Sequence, residues 1–171
     1  GVIRCVIETK IMKDNKKNLV LREEMSIFLE RSPKATSKSV TKSMRSNTAK
    51  DTGPEISLRK ALYSNGIRGY RLNWRKVPGR PDLCFPRLKL AIFVNGCFWH
   101  RCPRCDLPLP KTNSSFWEKK FRRNIERDLL KRKRLEGIGW KVVIVWECDI
   151  KDDLPSVVRE ISETYKSSKK K

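Results

Sequence analysis

The sequence predicts an α/β sandwich around a small mixed sheet, and three observations carry that prediction. Leu88–Val94 and Trp140–Trp146 are apolar runs of strand length, rich in Val, Ile and aromatic residues. Stretches with helix start and stop signals lie before, between and after them. No internal period is present, so a repeat architecture is excluded. Helix, short strands, helix, strand and helix is the order of a layered α/β domain.

Taken along the chain, Val2–Glu30 carries scattered apolar residues, with a helix expected at about Leu19–Leu29 (Leu19, Met25, Phe28, Leu29). Arg31–Lys50 is Ser, Thr, Lys, Arg and Asn with little apolar content, the composition of a mobile basic arm or a solvated linker. A helix starts after Asp51-Thr52: Pro54 suits its first turn, and Glu55 places a negative charge at the positive end of the dipole. Ile56, Leu58, Ala61 and Leu62 give it an apolar face, and Asn65-Gly66 ends it. Tyr70–Trp74 and Asp82–Phe85 are strand-like, joined through the Val77-Pro78-Gly79-Arg80-Pro81 turn. Pro86-Arg87 breaks the chain before the Leu88–Val94 strand, which leads into a loop at Gly96–Cys105. Leu107–Asn113 is an extended connector. Ser115 with Glu118 has the spacing of a capping box, opening a helix to about Glu136 with Trp117, Phe121, Ile125 and Leu129 on one i+4 line. Its other faces carry Lys119, Lys120, Arg122, Arg123, Arg127, Lys131, Arg132, Lys133 and Arg134. Gly137 and Gly139 stop it, Trp140–Trp146 is a buried strand, and a last helix is capped by Asp153 with Pro155 in its first turn.

The chain has 171 residues, one domain or one domain with an extension, and its 40 Lys and Arg against 19 acids give a formal charge of +21. Such a surface binds a polyanion, and nucleic acid is the first candidate. The basic residues do not lie beside one apolar helix, and no stretch reaches the length of a membrane span, which argues against a membrane partner. The first residues lack a signal-peptide core, so an intracellular, cytoplasmic and nucleoid-associated protein is expected.

Gly96–Cys105 holds three of the six cysteines and the only histidine, behind two adjacent large aromatics. Cys97, Cys102 and Cys105 lie on that loop, and Cys148 ends the distant strand. Four thiolates so placed would close a tetrahedral structural zinc site and pin the loop to the sheet. A Cys-x-x-Cys pair by itself is also compatible with redox chemistry or simple burial. His100 is an alternative fourth ligand; assigning Cys148 leaves the histidine free for proton transfer. Cys5 and Cys84 read as small buried apolar residues.

Asp82 starts one strand and the neighbouring strand ends at Val94-Asn95. A carboxylate there, with a main-chain carbonyl beside it, can hold Mg²⁺ through oxygen ligands. Mg²⁺ would bind a phosphate and orient water, and His100 could act as general base or acid. The plainer reading of Asp82 is a turn aspartate after Pro81. That of Glu55 is a dipole charge, and that of Phe98, Trp99 and Trp117 is packing.

Pro78-Gly79-Arg80-Pro81-Asp82, Ile92-Phe93-Val94-Asn95-Gly96-Cys97-Phe98-Trp99-His100, Phe116-Trp117, Asn124-Ile125-Glu126-Arg127-Asp128 and Trp140–Cys148 together resemble the very-short-patch repair (Vsr) endonucleases. The likeness runs from about Ser43 to Cys148, dividing the chain into a basic extension at 1–42 and an endonuclease domain at 43–171. It implies a restriction-endonuclease-like sandwich with a structural zinc, nicking one DNA strand with Mg²⁺ beside the thymine of a thymine–guanine mismatch. Such mismatches arise where 5-methylcytosine deaminates in a methyltransferase's target site, which implies functional coupling to a DNA cytosine methyltransferase. A single nick needs one active site, so a monomer is expected.

By position, the resemblance implies Asp82 as the metal carboxylate with the Val94 carbonyl, His100 as general base and Glu55 as a supporting carboxylate. It implies Cys97, Cys102, Cys105 and Cys148 as zinc ligands, and Phe98, Trp99 and Trp117 as an aromatic wedge entering the base stack. The segment before Asp51, with Met44 and Arg45, would clamp DNA, and Lys119, Arg122 and Arg123 would contact it. Two positions depart from the family pattern. Asn95 stands where members often have a second active-site histidine; it can hydrogen-bond but cannot exchange a proton at neutral pH. Cys102 stands where relatives can have histidine, a change that keeps a tetrahedral site. Alternatives on the same residues are a restriction or homing-type nuclease, or a zinc-stabilised DNA-binding module without catalysis.

Overall fold

The computed structural model describes residues 33, 37–39, 41–42 and 50–169. The helix expected at Leu19–Leu29, Cys5, Met44 and Arg45 lie outside the described residues. Within the basic stretch, Lys38, Ser39, Thr41 and Lys42 are helical, closed by a Thr41 N–H bond to the Ser37 carbonyl at 3.0 Å. Composition alone gave no sign of that turn.

The elements that follow are α1 (Gly53–Ser64), β1 (Arg71–Leu72), β2 (Leu83–Phe85), a 3₁₀ turn (Pro86–Leu88), β3 (Leu90–Asn95), α2 (Cys97–His100), α3 (Ser114–Gly137), β4 (Lys141–Trp146) and α4 (Glu147–Lys169). Among the described residues they form one mixed sheet of four strands in the order β1-β2-β3-β4. The β1–β2 and β2–β3 pairs are antiparallel, whereas β3–β4 is parallel, with Ile92 opposite Val143 and Asn95 opposite Trp146. A parallel pair needs a long crossover, and α2 and α3 supply it.

Strand alternation sorts the core into two layers. Leu83, Phe85, Leu90, Ile92 and Val145 pack with Leu58 and Leu62 of α1 and with Val157, Val158 and Ile161 of α4. Ala91 faces the opposite side, packing with Val77 and with Leu135 of α3. The small mixed sheet flanked by helices is therefore as expected.

The boundaries differ where turn chemistry intervenes. The β3 strand begins at Leu90, not Leu88, because Pro86–Leu88 makes a 3₁₀ turn that ends with Lys89 in the left-handed region (φ 47°). Ile56 is exposed, so the apolar face of α1 rests on Leu58 and Leu62. Helix α3 opens two residues early, from Asn113 in the left-handed region (φ 58°), and the Ser115–Glu118 box is not its cap. Its buried line is not the strict i+4 series: Ile125 and Leu129 are exposed at 47% and 52%, while Asn124 is buried at 8%. A helix turns every 3.6 residues, so the inner face runs Trp117, Phe121, Asn124, Asp128, Lys131 and Leu135. Helix α4 starts directly after β4 and breaks at Asp153 (φ −151°), where the expected cap is found. Asp153 accepts the Ser156 N–H at 3.0 Å and the Ser156 hydroxyl at 2.5 Å, and Pro155 occupies the new first turn.

Candidate functional site

Strands β3 and β4 run in the same direction, so their carboxyl ends open on one edge of the sheet, where ligands of α/β proteins characteristically bind. Gly96–Cys105 follows the first end, and Glu147-Cys148 follows the second. The expected loop begins as one helical turn, α2, closed by a left-handed Arg101 (φ 54°). Glu147 ties the two ends together: its Oε2 accepts the Cys97 N–H at 3.3 Å and its Oε1 accepts from Lys151 at 2.6 Å.

The Sγ atoms of Cys97, Cys102, Cys105 and Cys148 lie within 4.8 Å of one another, a set able to hold a metal ion. Cys148 sits in the first turn of α4. None of the four is in a disulfide, and Cys102 and Cys148 sulfurs are 3.7 Å apart. Burial pushes the Cys97 thiol up to about 12. Burial opposes ionisation at Cys102 as well, but N–H groups of Cys105 and Arg104 directed at its sulfur hold that thiol below its usual value. Arg104 fastens the loop to α4 through Asp149 (3.0 Å) and Asp152 (2.6 Å). His100 stands apart from the sulfurs, and Cys84 is buried in the sheet, as expected.

Asp82 immediately precedes β2, placed by the Pro78–Pro81 turn. Gly79 there has φ +80°, and a Cβ on it would lie 3.0 Å from the Lys131 side chain, so glycine lets the turn close onto α3 without backbone strain or displacement of that side chain. The Asp82 carboxylate accepts the Val94 N–H at 2.8 Å. Burial pushes its pKa up to about 6; the Val94 bond works against that rise, the charge of Glu55 adds to it, and His100 and Lys131 oppose it. Glu55, His100 and Lys131 are therefore near enough for their charges to act on Asp82. Glu55 is 5% exposed and spent largely on its own helix end, accepting from the Asp51 N–H at 3.0 Å and the Thr52 hydroxyl at 2.9 Å. Asn95 is buried at the last position of β3, on the face it shares with Ala91 and Phe93.

His100 pairs through Nδ1 with Asp128 Oδ2. Burial would raise Asp128, but the His100 bond and charge, with Lys131, hold it below the usual carboxylate range. An ionised carboxylate only accepts, so Nδ1 carries the hydrogen of this pair and Nε2 is the ring nitrogen left outside it. Asn124 donates to the Trp99 carbonyl at 2.9 Å and fixes the α2 turn that carries His100.

Phe98 lies edge-on between Trp99 (centroids 5.1 Å), Trp117 (5.6 Å) and Phe121 (5.1 Å). Phe98, Trp99 and Trp117 are half-buried, and Lys120 Nζ stands 5.4 Å from the Trp99 ring. Lys119, Arg122 and Arg123 are exposed on the same helix.

The structure thus joins Asp82, Val94, Glu55 and His100 at one site and the four cysteines at another beside it. Asp128, Asn124 and Lys131 escaped sequence reasoning because they are polar residues on the inward face of α3, and a search for apolar periodicity passes over them. The signal was available: they continue the 3.6-residue line from Trp117 and Phe121.

A family model described as DNA mismatch endonuclease Vsr matches residues 33–106. The Type II nicking enzyme V.NmeAIP of Neisseria meningitidis serogroup A is 40% identical over 123 residues, covering 67% of this chain and 86% of the relative. The Type II nicking enzyme V.NaeI of Lentzea aerocolonigenes is 39% identical, covering 69% and 74%. The DNA mismatch endonuclease Vsr of Escherichia coli K12 is 37% identical over 111 residues, covering 65% and 70%.

Proposed function

This chain belongs to the Vsr family of DNA mismatch endonucleases, and on that premise we propose that it nicks one strand of duplex DNA beside the thymine of a thymine–guanine pair, with Mg²⁺ at Asp82 and zinc at the four cysteines. The frame for this chemistry is a restriction-endonuclease-like sandwich, with residues 43–171 as the endonuclease domain and 1–42 as a basic extension. A nick needs one such site, so a monomer suffices.

The donor sets fit both ions. Tetrahedral Zn–S bonds of about 2.3 Å separate sulfurs by roughly 3.8 Å, and the Cys102–Cys148 separation is 3.7 Å. For Mg²⁺, Asp82 is a half-buried carboxylate whose charge is poorly offset, the condition a cation relieves. A strand residue turns its N–H and C=O to the same side, so the Val94 carbonyl faces the way its N–H does, toward Asp82. Bound there, Mg²⁺ would orient a water and offset charge on the phosphate.

His100 Nε2 accepts the proton of the attacking water while Asp128 steadies the imidazolium that forms. The new O–P bond forms in line as the bond to the leaving sugar oxygen breaks, and that oxygen takes a proton from solvent. Asn95, on the side of the sheet facing α3, hydrogen-bonds water or phosphate without exchanging a proton, leaving proton transfer to His100. Glu55 holds the α1 end and adds negative charge at the metal site. Phe98, Trp99 and Trp117 enter the stack at the mismatch, where unstacking costs least. Lys119, Arg122, Arg123 and the arm with Met44 and Arg45 hold phosphates. A thymine–guanine pair is the deamination product of 5-methylcytosine opposite guanine, which couples the enzyme to a DNA cytosine methyltransferase.

The observation that carries this reading is the convergence of Asp82 with the His100–Asp128 pair at the carboxyl end of β3. The test is a labelled duplex with or without one thymine–guanine pair, in Mg²⁺. Expected is a nick in the thymine strand only, abolished in Asp82→Ala while duplex binding and zinc content persist. Double-strand cutting of the matched duplex would point to a restriction-type nuclease, and a shifted but intact duplex to a binding module.

A further inference from the structure

Lys131 lies one turn beyond Asp128 on the inward face of α3. Its Nζ is 3.3 Å from Asp128 Oδ1, the oxygen not used by His100. Its stem is held independently of that pair: a Cβ on Gly79 would stand 3.0 Å from both Cβ and Cγ of Lys131. The turn that delivers Asp82 therefore packs on the Lys131 stem. The side chain as a whole remains 32% exposed, so it is not sealed inside the core.

The charges around that head are unbalanced. The charge of Glu55 acts on Asp82, and Asp128 lies beside the same lysine that acts on Asp82, so a DNA phosphate entering there meets negative charge. His100 and Lys131 both bring positive charge to bear on Asp82, and Lys131 also pairs with Asp128. A partly exposed lysine paired at i, i+3 contributes little to stability, so fold maintenance does not account for a stem clamped in this place.

Resting on the nuclease reading above, we propose that Lys131 is a phosphate-binding residue of the active site, its ammonium donating a hydrogen bond to a non-bridging oxygen of the scissile phosphate. Docked DNA competes with Asp128 Oδ1 for that ammonium, and Asp128 keeps its bond to His100. The ammonium then opposes the charge that gathers on the phosphoryl oxygens as the leaving bond breaks, in a site where the stem is already ordered. The proton stays on nitrogen throughout.

The experiment compares wild type, Lys131→Met and Lys131→Arg on the thymine–guanine duplex in Mg²⁺. Single-turnover nicking is measured at saturating protein, beside duplex Kd, zinc content and thermal midpoint. Methionine keeps the stem against Gly79 and removes the charge. Its nicking rate is expected to fall by roughly 100-fold, the scale of losing one charge-stabilising donor. Its Kd should weaken by only about the salt-dependent increment of one phosphate contact. Arginine should restore most of the rate, with zinc content and midpoint unchanged in both variants. A Met variant that nicks as fast as wild type overturns the proposal, as does an Arg variant as slow as the Met variant. A wild-type protein that cuts no duplex sinks the nuclease reading instead, and this proposal with it.

Discussion

Asp82 could be picked out from the chain because Pro78–Pro81 announces a turn before a strand and because the resemblance marked it. Its chemistry is set by features no linear reading supplies: the Val94 N–H at 2.8 Å, and the nearness of Glu55 from another helix. His100 was similarly legible, yet its partner was not. Asp128 looks in sequence like one more charge on a basic helix, and it becomes an orienting carboxylate only because α3 turns that face onto α2. The raised Asp82 pKa makes a prediction whose sign can be worked out. Folded Asp82 holds its proton to about 6 against a reference of 3.8. Between those values the folded chain binds more protons than the unfolded one, so stability falls as pH rises through that window. In Mg²⁺-free buffer, wild type should therefore lose unfolding free energy from about pH 4 to about pH 6 relative to Asp82→Asn, and Mg²⁺ should reverse the loss above it. The comparison with Asn cancels zinc loss in acid, which both proteins share. Parallel denaturation curves across the window would show that Asp82 is not buried as described.

At the scale of elements, the ends of β3 and β4 are held by a clamp whose halves lie far apart in sequence. Cys97, Cys102 and Cys105 come from one side of the crossover and Cys148 from the other, with Glu147–Cys97 and Arg104–Asp149 bonds beside them. Spacing pointed to these four cysteines, with His100 open as an alternative to Cys148, and the structure brings their sulfurs within 4.8 Å of one another. Spacing could not show that α2 is a helical turn, nor that Arg104 and Glu147 add straps, since these depend on how the two ends meet. The face of α3 was misjudged for a related reason: a polar inward face carries no hydrophobic signature, and Ile125 and Leu129, which looked like core, are exposed. If the clamp positions His100 as well as stabilising the fold, Cys148→Ser should show both effects. Zinc content should drop well below that of wild type, and the thermal midpoint should fall by several degrees, about 2–4 °C per kcal/mol for a domain of this size. The nicking rate should fall further than Kd weakens, because α2 carries His100 whereas most phosphate contacts lie elsewhere. A full zinc complement in the serine variant would remove Cys148 from the ligand set.

Across the whole molecule, the two kinds of DNA contact that the proposed function calls for are separable in space. The +21 charge is spread over the chain and acts on phosphates, whereas the aromatic cluster is one spot beside His100. Net charge was readable directly from composition. The aromatics were readable as residues but not as an assembly, because Phe98, Trp99 and Trp117 converge only when α2 docks on α3. In the free chain they pack on one another, so on the proposed mechanism entering DNA would require that cluster to open, at a cost repaid only where the stack is already weak. Phosphate contacts should therefore set affinity, and the cluster should set the choice of mismatched over matched duplex. The two respond differently to salt. Raising salt from 50 to 200 mM should weaken both duplexes in parallel, by roughly 1,000-fold for six or more phosphate contacts, leaving the ratio of affinities nearly constant. Trp99→Ala should do the reverse, lowering the ratio by about 5-fold or more, the lower end of the loss of one stacked base, with the salt slope unchanged. If the ratio instead collapses with salt while Trp99→Ala leaves it intact, discrimination resides in the charge field and the cluster is core packing alone. Lys120, poised 5.4 Å from the Trp99 ring, is where the two systems meet, and its loss should move both slope and ratio.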